Sequence, residues 1–223
     1  YYQVLGHPVT SHDGIIADVT GDAMMSVWLD LPIANQRLAA CLAALEMELE
    51  VERFNKASRA GQLPTRIGLH EGEMTLGKLA AGDGSYYRAI GDTVNTASRI
   101  QGVNKYLGTR ILACATITIG LTHIVYRPVG VFGVVGRDEP LNLVEIVGTE
   151  ADANASMHAK HRQFAAALSA FQQGRWPDAA LNFTALLQEH GEDGPSRFYL
   201  ALALAYKHKP PLAWDGVVLL DGK

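Results

Sequence analysis

Residues 91–99 read Gly-Asp-Thr-Val-Asn-Thr-Ala-Ser-Arg, and their apolar members recur with a helical period. The pattern predicts a helix over 92–107 with an inner stripe of Val94, Ala97, Ile100 and Val103. Asn95 and Arg99 are four residues apart, so they point the same way. An amide beside a guanidinium suits a sugar and a polyphosphate, because Arg presents a planar fork of donors to phosphate. For these two residues alone, an ordinary surface pair is the simpler interpretation.

A second stretch, residues 14–28, reads Gly-Ile-Ile-Ala-Asp-Val-Thr-Gly-Asp-Ala-Met-Met-Ser-Val-Trp. It predicts two short strands joined by the turn at Gly21 and Asp22. In such a turn the Asp22 carboxylate is exposed and rigidly held. This arrangement suits a hard cation such as Mg²⁺, which uses one or two protein carboxylates together with substrate phosphates. Taken alone, Asp22 is more simply an ordinary turn aspartate.

The rest of the first 150 residues alternates helices with hairpins. Apolar spacing predicts a long helix over 31–60, ended by Gly61, and a strand, turn and strand over 65–79. A further strand pair is expected over 125–147, with its turn at 136–140. Hairpins that alternate with helices predict an α+β fold with a largely antiparallel sheet.

Composition excludes several functions. The 223 residues carry a net charge of −4, so no basic excess favours nucleic acid as a partner. No apolar run approaches the roughly 20 residues that span a bilayer. Cys41 and Cys114 both lie in apolar segments and form no disulfide framework, which favours a reducing cytoplasm. A cytoplasmic location is therefore expected, either free or as the cytoplasmic part of a membrane-anchored protein.

The composition changes near residue 150, from Gly- and Val-rich to Ala-, Phe- and Leu-rich. We expect a first domain over 1–150, short helices over 158–210 and a C-terminal extension over 211–223. Ala179 and Phe183 have the spacing of a tetratricopeptide repeat. The helices are either packed on the first domain, which their helically spaced aromatic residues favour, or form a module that binds a protein partner.

Four segments in order resemble the class III adenylyl/guanylyl cyclase catalytic domain: the turn at 21–22, Gly-Leu-His-Glu-Gly-Glu at 68–73, residues 91–99 and the hairpin at 130–141. The resemblance covers residues 1–148. It implies a ferredoxin-like cyclase domain that converts ATP or GTP to a 3′,5′-cyclic nucleotide and pyrophosphate. It also implies a homodimer, in which each active site is shared between the two chains.

The resemblance assigns roles to three residues. Asp22 matches the second of two aspartates that hold two Mg²⁺ or Mn²⁺ ions per site. Asn95 matches the residue that orients the ribose, and Arg99 the one that stabilises charge on the phosphate. The family's first metal aspartate lies on a strand that would precede Tyr1. The isolated 223-residue chain is therefore expected to have little cyclase activity.

Two positions depart from the family pattern. Asp18 replaces the lysine that reads the base, and Arg88 replaces an Asp or Thr. These two residues either contact the base or pair with each other. If they contact the base, their pattern fits guanine better than the family's usual adenine, and the choice between ATP and GTP stays open. An alternative interpretation follows, in which the chain is a non-catalytic cyclase homology domain that dimerises and regulates. Retention of Asp22, Asn95 and Arg99 favours the enzyme.

Overall fold

The computed structural model describes residues 2–58, 62–81, 84–137 and 139–220. The helices in this part of the chain are α1 (Tyr2–Ser11), α2 (Ile33–Ala57), α3 (Asp92–Leu107), α4 (Ala155–Gln172), α5 (Trp176–His190) and α6 (Gly194–His208). The strands are β1 (Ile15–Thr20), β2 (Ala23–Val27), β3 (Ile67–Leu69), β4 (Thr75–Ala81), β5 (Gly84–Ile90), β6 (Ile111–Cys114), β7 (Ile124–Gly133), β8 (Leu141–Thr149) and β9 (Val217–Leu219). The expected α+β class, with helices at the C-terminal end, is confirmed.

The strands form one sheet of five and two hairpins. The larger sheet has the order β3-β6-β8-β7-β9, while β1 pairs with β2 and β4 pairs with β5. The β3–β6 and β7–β9 pairs are parallel, and the others are antiparallel. The mainly antiparallel character that the hairpins predict is therefore confirmed.

Helix α3 has the bounds that its apolar period predicts, but its buried face is more polar than expected. Thr96 and Asn104 are buried there with Ile100, Val103 and Leu107, whereas Val94 and Ala97 are only partly buried. Buried polar groups need partners. The amide of Asn104 donates to the Ile67 carbonyl at 2.9 Å, and its oxygen accepts from Thr109 at 2.8 Å.

Helix α2 is shorter than the predicted span of 31–60. It begins after Pro32, and Ser58 is already extended; Ala60 and Gly61 lie outside the described residues. Helix α1, strand β5 and strand β9 were not predicted. Pro8 and Gly6 are poor helix formers, which hides α1 in the sequence, and β9 is only three residues long.

The C-terminal helices share one hydrophobic cluster with α3 and the five-stranded sheet. Phe164, Phe171, Phe183 and Tyr199 are essentially inaccessible to solvent within it. Full burial of a side chain of this size stabilises the fold by about 1.5–3 kcal/mol. Among the described helices, none combines the length and apolar character that crossing a membrane requires.

Candidate active site

The β1–β2 hairpin presents the first candidate residue. Thr20 pairs with Ala23, so Gly21 and Asp22 form a two-residue turn as predicted. Gly21 has a φ of 60°, which glycine adopts at little cost. The Tyr2 hydroxyl donates to the Gly21 carbonyl and ties α1 to this turn. Asp22 itself is exposed, as a residue that meets a soluble ligand needs to be.

Helix α3 presents the second pair. Asn95 is exposed, and the Arg99 side chain is only 30% exposed. Nη1 of Arg99 is buried and has no hydrogen-bond partner within the described part of the chain. Its ion-pair neighbour is Oδ1 of Asp92, at 3.8 Å, which is too far for a hydrogen bond. A buried guanidinium donor without a partner is costly, and a small movement of this partly exposed side chain toward an oxyanion would satisfy it.

The turn after β7 packs against Arg99. Gly136 has a φ of 76°, and a Cβ there would lie 2.9 Å from Nη2 of Arg99. Nη1 of the next residue, Arg137, donates to Asp92 Oδ2 at 3.0 Å and to Thr96 Oγ1 at 2.9 Å. The predicted turn at 136–140 thus touches the first turns of α3, although Asp138 lies outside the described residues.

Asp92 and Arg137 were missed by the sequence-based reasoning. Both lie in segments that carry the family resemblance, 91–99 and 130–141, and both are charged residues directly after a glycine. Their sequence separation of 45 residues gave no indication that they meet. The only signal in the sequence was the opposite charge of Asp92, at the start of a predicted helix, and Arg137, in a predicted turn.

Asp18 and Arg88 lie on strands that belong to one packed unit. Ala17 and Ala89, their chain neighbours, are buried in the same cluster with Val27. Asp18 is partly buried and accepts a hydrogen bond from Thr20 at 3.3 Å, while Arg88 is exposed. No ion pair joins Asp18 to Arg88 in the described structure, so their mutual pairing remains a prediction.

The segment over 68–73 supports α3. The Thr93 hydroxyl donates to the Glu73 carbonyl at 2.6 Å and fixes the start of the helix.

Arg37 of α2 holds Glu71 with two hydrogen bonds of 2.7 and 2.8 Å. The hydrogen bonds from Arg37 lower the pKa of Glu71, against the effect of burial. Glu71 is therefore an anchored carboxylate.

A bound metal would have few protein ligands here. No group of three or more His, Cys, Asp or Glu side chains able to hold a metal is formed by the residues that the structure describes. Asp22 contributes one exposed carboxylate, which fits an ion that takes its other ligands from water and from substrate phosphates. The donor set therefore fits a divalent cation that arrives with an anionic ligand.

The described elements define an α+β domain in which hairpins and helices build on a mainly antiparallel sheet. The model of the "Adenylate and Guanylate cyclase catalytic domain" family matches residues 6–138. The chain belongs to this family, and the class III resemblance is confirmed.

Relatives agree with this assignment. The chain is 38% identical over 162 residues to adenylate cyclase 1 of Rhizobium meliloti, a match that covers 70% of this chain and 24% of that protein. The crystal structure of the adenylyl cyclase CyaB from P. aeruginosa is 20% identical, with 69% and 82% of the two chains covered and a TM-score of 0.54. A guanylyl cyclase structure is 21% identical, covers 69% and 80%, and has a TM-score of 0.55. These likenesses show the fold. The chain spans about a quarter of the length of the Rhizobium relative.

Proposed function

We propose that this chain is the catalytic part of a nucleotide cyclase, which converts a nucleoside triphosphate to a 3′,5′-cyclic nucleotide and pyrophosphate. The observation that carries the proposal is the unpartnered, buried Nη1 of Arg99, one helical turn from the exposed Asn95. Family membership and the cyclase relatives support it.

The reaction forms a bond between the ribose 3′-oxygen and the α-phosphorus, and breaks the bond from that phosphorus to the pyrophosphate oxygen. The 3′-hydroxyl proton leaves to solvent. Negative charge grows on the phosphate oxygens in the transition state. Arg99 donates hydrogen bonds to that charge, and Asn95 holds the ribose so that the 3′-oxygen is aligned for attack.

Divalent metal would complete the site. Asp22 would hold one of two Mg²⁺ or Mn²⁺ ions through its exposed carboxylate. Bound metal supplies Lewis acidity toward the phosphate and lowers the pKa of the attacking hydroxyl. The family's first metal aspartate would supply the other carboxylate.

The complete site would form between two copies of the chain. In the shared-site arrangement, Asp22 comes from one chain, and Asn95 and Arg99 come from the other. A homodimer then has two identical sites, as its two-fold symmetry requires. Asp18 and Arg88 would face the base, and we propose that they leave the enzyme weakly selective between ATP and GTP.

The C-terminal segment supports a packing role more than a separate binding module. Its largest aromatic side chains are buried with α3 and β7 rather than arranged along an open groove. A tetratricopeptide-like arrangement and a domain boundary near 150 stay predictions. A protein partner on these helices would bind their outer faces.

The test is production of cyclic nucleotide by the protein at its full encoded length, with Mg²⁺ or Mn²⁺ and either ATP or GTP. Arg99→Ala is expected to lower kcat by about 10²–10³-fold, the usual effect of removing one donor to a developing oxyanion. Lys105→Ala removes an exposed cation further along the same helix and is the control. A folded dimer that binds nucleotide without turnover would indicate the regulatory alternative.

A further inference from the structure

Helix α6 contacts α3, which carries Arg99, and β7, which leads into the turn beside Arg99. At its start, Gly194 lies so close to the end of α3 that a Cβ there would be 2.2 Å from the Leu107 carbonyl oxygen. The two helices are therefore in backbone contact at this point, with no side chain between them. The position of α6 therefore limits the position of the helix that carries Asn95 and Arg99.

The second contact of α6 is with β7. Asp193, which caps α6 by accepting from the Ser196 amide at 3.0 Å, also receives two hydrogen bonds from Arg127 of β7, of 2.8 and 3.2 Å. Lys160 of α4 reaches the same carboxylate at 2.8 Å. The side chains of Arg127 and Asp193 are only 6% and 3% exposed. Such a buried, geometrically matched pair holds two elements in one relative position.

A third contact lies one turn further along α6. The Tyr199 hydroxyl donates to the Val129 carbonyl of β7 at 2.6 Å. Gly130 makes room for it, since a Cβ there would lie 2.1 Å from the hydroxyl oxygen. Strand β7 is therefore held by α6 at Arg127 and again at Val129.

Strand β7 leads directly into the turn that touches Arg99. It ends at Gly133, and three residues later Gly136 packs on the Arg99 guanidinium. Arg137 then binds Asp92 and Thr96 of α3. The contacts form a closed loop from α3 to α6, to β7, to the turn and back to α3, and Arg99 lies on α3 between the two contact points of that helix.

We propose that α6 is a positioning element of the active site, in which Asp193, Gly194 and Tyr199 fix α3 against β7 and thereby hold the Arg99 guanidinium beside Gly136. The proposal rests on the proposed cyclase function. None of the three residues touches substrate. They act because close-packed interiors transmit a displacement instead of absorbing it, and a misplacement of about 1 Å can cost about 10²-fold in rate.

Two variants with matched controls test the proposal in the protein at its full encoded length. Gly194→Ala forces α6 and the end of α3 apart, while Gly148→Ala adds the same methyl group on β8, where a Cβ meets nothing within 4 Å and the backbone is not left-handed. Tyr199→Phe removes only the hydroxyl that donates to the Val129 carbonyl of β7. Tyr206→Phe is its control on α6, because that hydroxyl makes no hydrogen bond to the described residues.

We expect Gly194→Ala to lower kcat by about ten- to a hundredfold with KM changed much less, because transition-state alignment is lost before substrate binding. Tyr199→Phe should act in the same direction with a smaller loss, and it stays folded because its shape is unchanged. Amide hydrogen exchange of α3 should accelerate in both variants and in neither control. Exchange is measured without substrate, so it tests the coupling even if no cyclase activity is found.

Equal kcat and equal α3 exchange in each variant and its control would overturn the proposal. Absence of turnover in the unmodified protein, with accelerated exchange in the variants, would reject the cyclase function and keep the coupling. A kcat loss that only parallels loss of folded protein, in variants and controls alike, would reduce α6 to a structural role and also overturn it.

Discussion

Arg137 donates from Nη1 to Asp92 Oδ2 at 3.0 Å and so ties the turn after β7 to the first turn of α3. The Asp92 carboxylate is 71% exposed, so this ion pair contributes at most about 1 kcal/mol to stability. Its importance is geometric, because it closes the turn over Arg99. Gly136, which precedes Arg137 in the turn, has no side chain and lies against the guanidinium of Arg99.

Gly136→Ala is therefore expected to displace Arg99. The new Cβ would stand 2.9 Å from Nη2 of Arg99, and the φ of 76° adds strain of about 1–2 kcal/mol for a residue with a Cβ. We expect kcat for cyclic nucleotide formation to fall at least tenfold, as for other small misplacements of a catalytic group. The measurement is steady-state kinetics beside a thermal unfolding curve.

Gly120→Ala separates strain from displacement. Gly120 has a comparable φ of 81°, but a Cβ there meets nothing within 4 Å. It should lower thermal stability to a similar degree and leave kcat unchanged. Equal kcat in the two variants would show that the turn does not position Arg99.

Mixing two inactive variants tests the shared site. Asp22→Ala and Arg99→Ala should each abolish most turnover in the full-length protein. Mixed in equal amounts, they should recover about a quarter of it, because half of the dimers are mixed and each of those has one intact site. Turnover is measured after subunit exchange, with dimers confirmed by sedimentation.

Asn95→Ala mixed with Arg99→Ala is the matched control. Both changes damage the same half of the site, so no mixed dimer contains an intact one. Recovery in this control, or none in the Asp22 and Arg99 mixture, would contradict a site built from two chains.

The sequence predicted the local elements of the site well and their assembly poorly. Helix α3 and the turn at Gly21 and Asp22 follow from short-range apolar period and turn chemistry, which act within a few residues. The closure of the site depends on pairs far apart in the chain, such as Arg137 with Asp92 and Arg127 with Asp193, separated by 45 and 66 residues. Charge pairs of this kind leave no periodic signal, so only the folded chain reveals them.

The two cysteines, both free, should differ sharply in reactivity. Burial raises the pKa of Cys41 to about 12. Burial also raises that of Cys114, but hydrogen bonds from His70 and Thr116 outweigh this effect and bring its pKa to about 7. Because the thiolate is the nucleophile, iodoacetamide should alkylate Cys114 in the native protein with a midpoint near neutral pH, and leave Cys41 unmodified.

His70→Ala should move the Cys114 midpoint to higher pH, since it removes the hydrogen bond that stabilises the thiolate. Peptide mass spectrometry after timed alkylation measures both sites. The exposed His123→Ala is the control and should leave the midpoint in place. An unchanged midpoint in His70→Ala would show that the imidazole does not stabilise this thiolate.

His161 makes the free energy of unfolding depend on pH in the acidic range. Burial, followed by the charges of Arg127 and Lys160, lowers its pKa from 6.5 to about 4, with Asp193 opposing them. Between these values the unfolded chain binds a proton at His161 and the folded chain does not, so the free energy of unfolding falls as pH falls. His161→Gln should flatten this dependence between pH 6.5 and 4. Urea unfolding across that range measures it, with the exposed His208→Gln as a control that should retain the wild-type slope.

The base preference depends on Asp18 and Arg88. Adenine offers an acceptor at N1 and a donor at its 6-amino group, whereas guanine offers a donor at N1 and an acceptor at O6. If the two side chains keep the family's positions toward the base, the carboxylate of Asp18 accepts from guanine N1 and Arg88 donates to O6. GTP should therefore compete effectively with ATP for the full-length dimer, and Asp18→Lys should shift the preference toward ATP.

Competition binding of ATP and GTP measures this preference. Asp178→Lys makes the same charge change on α5, away from the hairpin, and should leave the ratio of the two affinities unaltered. Each charge-assisted hydrogen bond contributes roughly 1.5–3 kcal/mol, so losing one alters the ratio by at least about tenfold. An ATP preference above about 100-fold in the unmodified protein, equivalent to roughly 2.7 kcal/mol, would contradict base reading by this pair. The same conclusion would follow if Asp18→Lys and Asp178→Lys gave equal ratios.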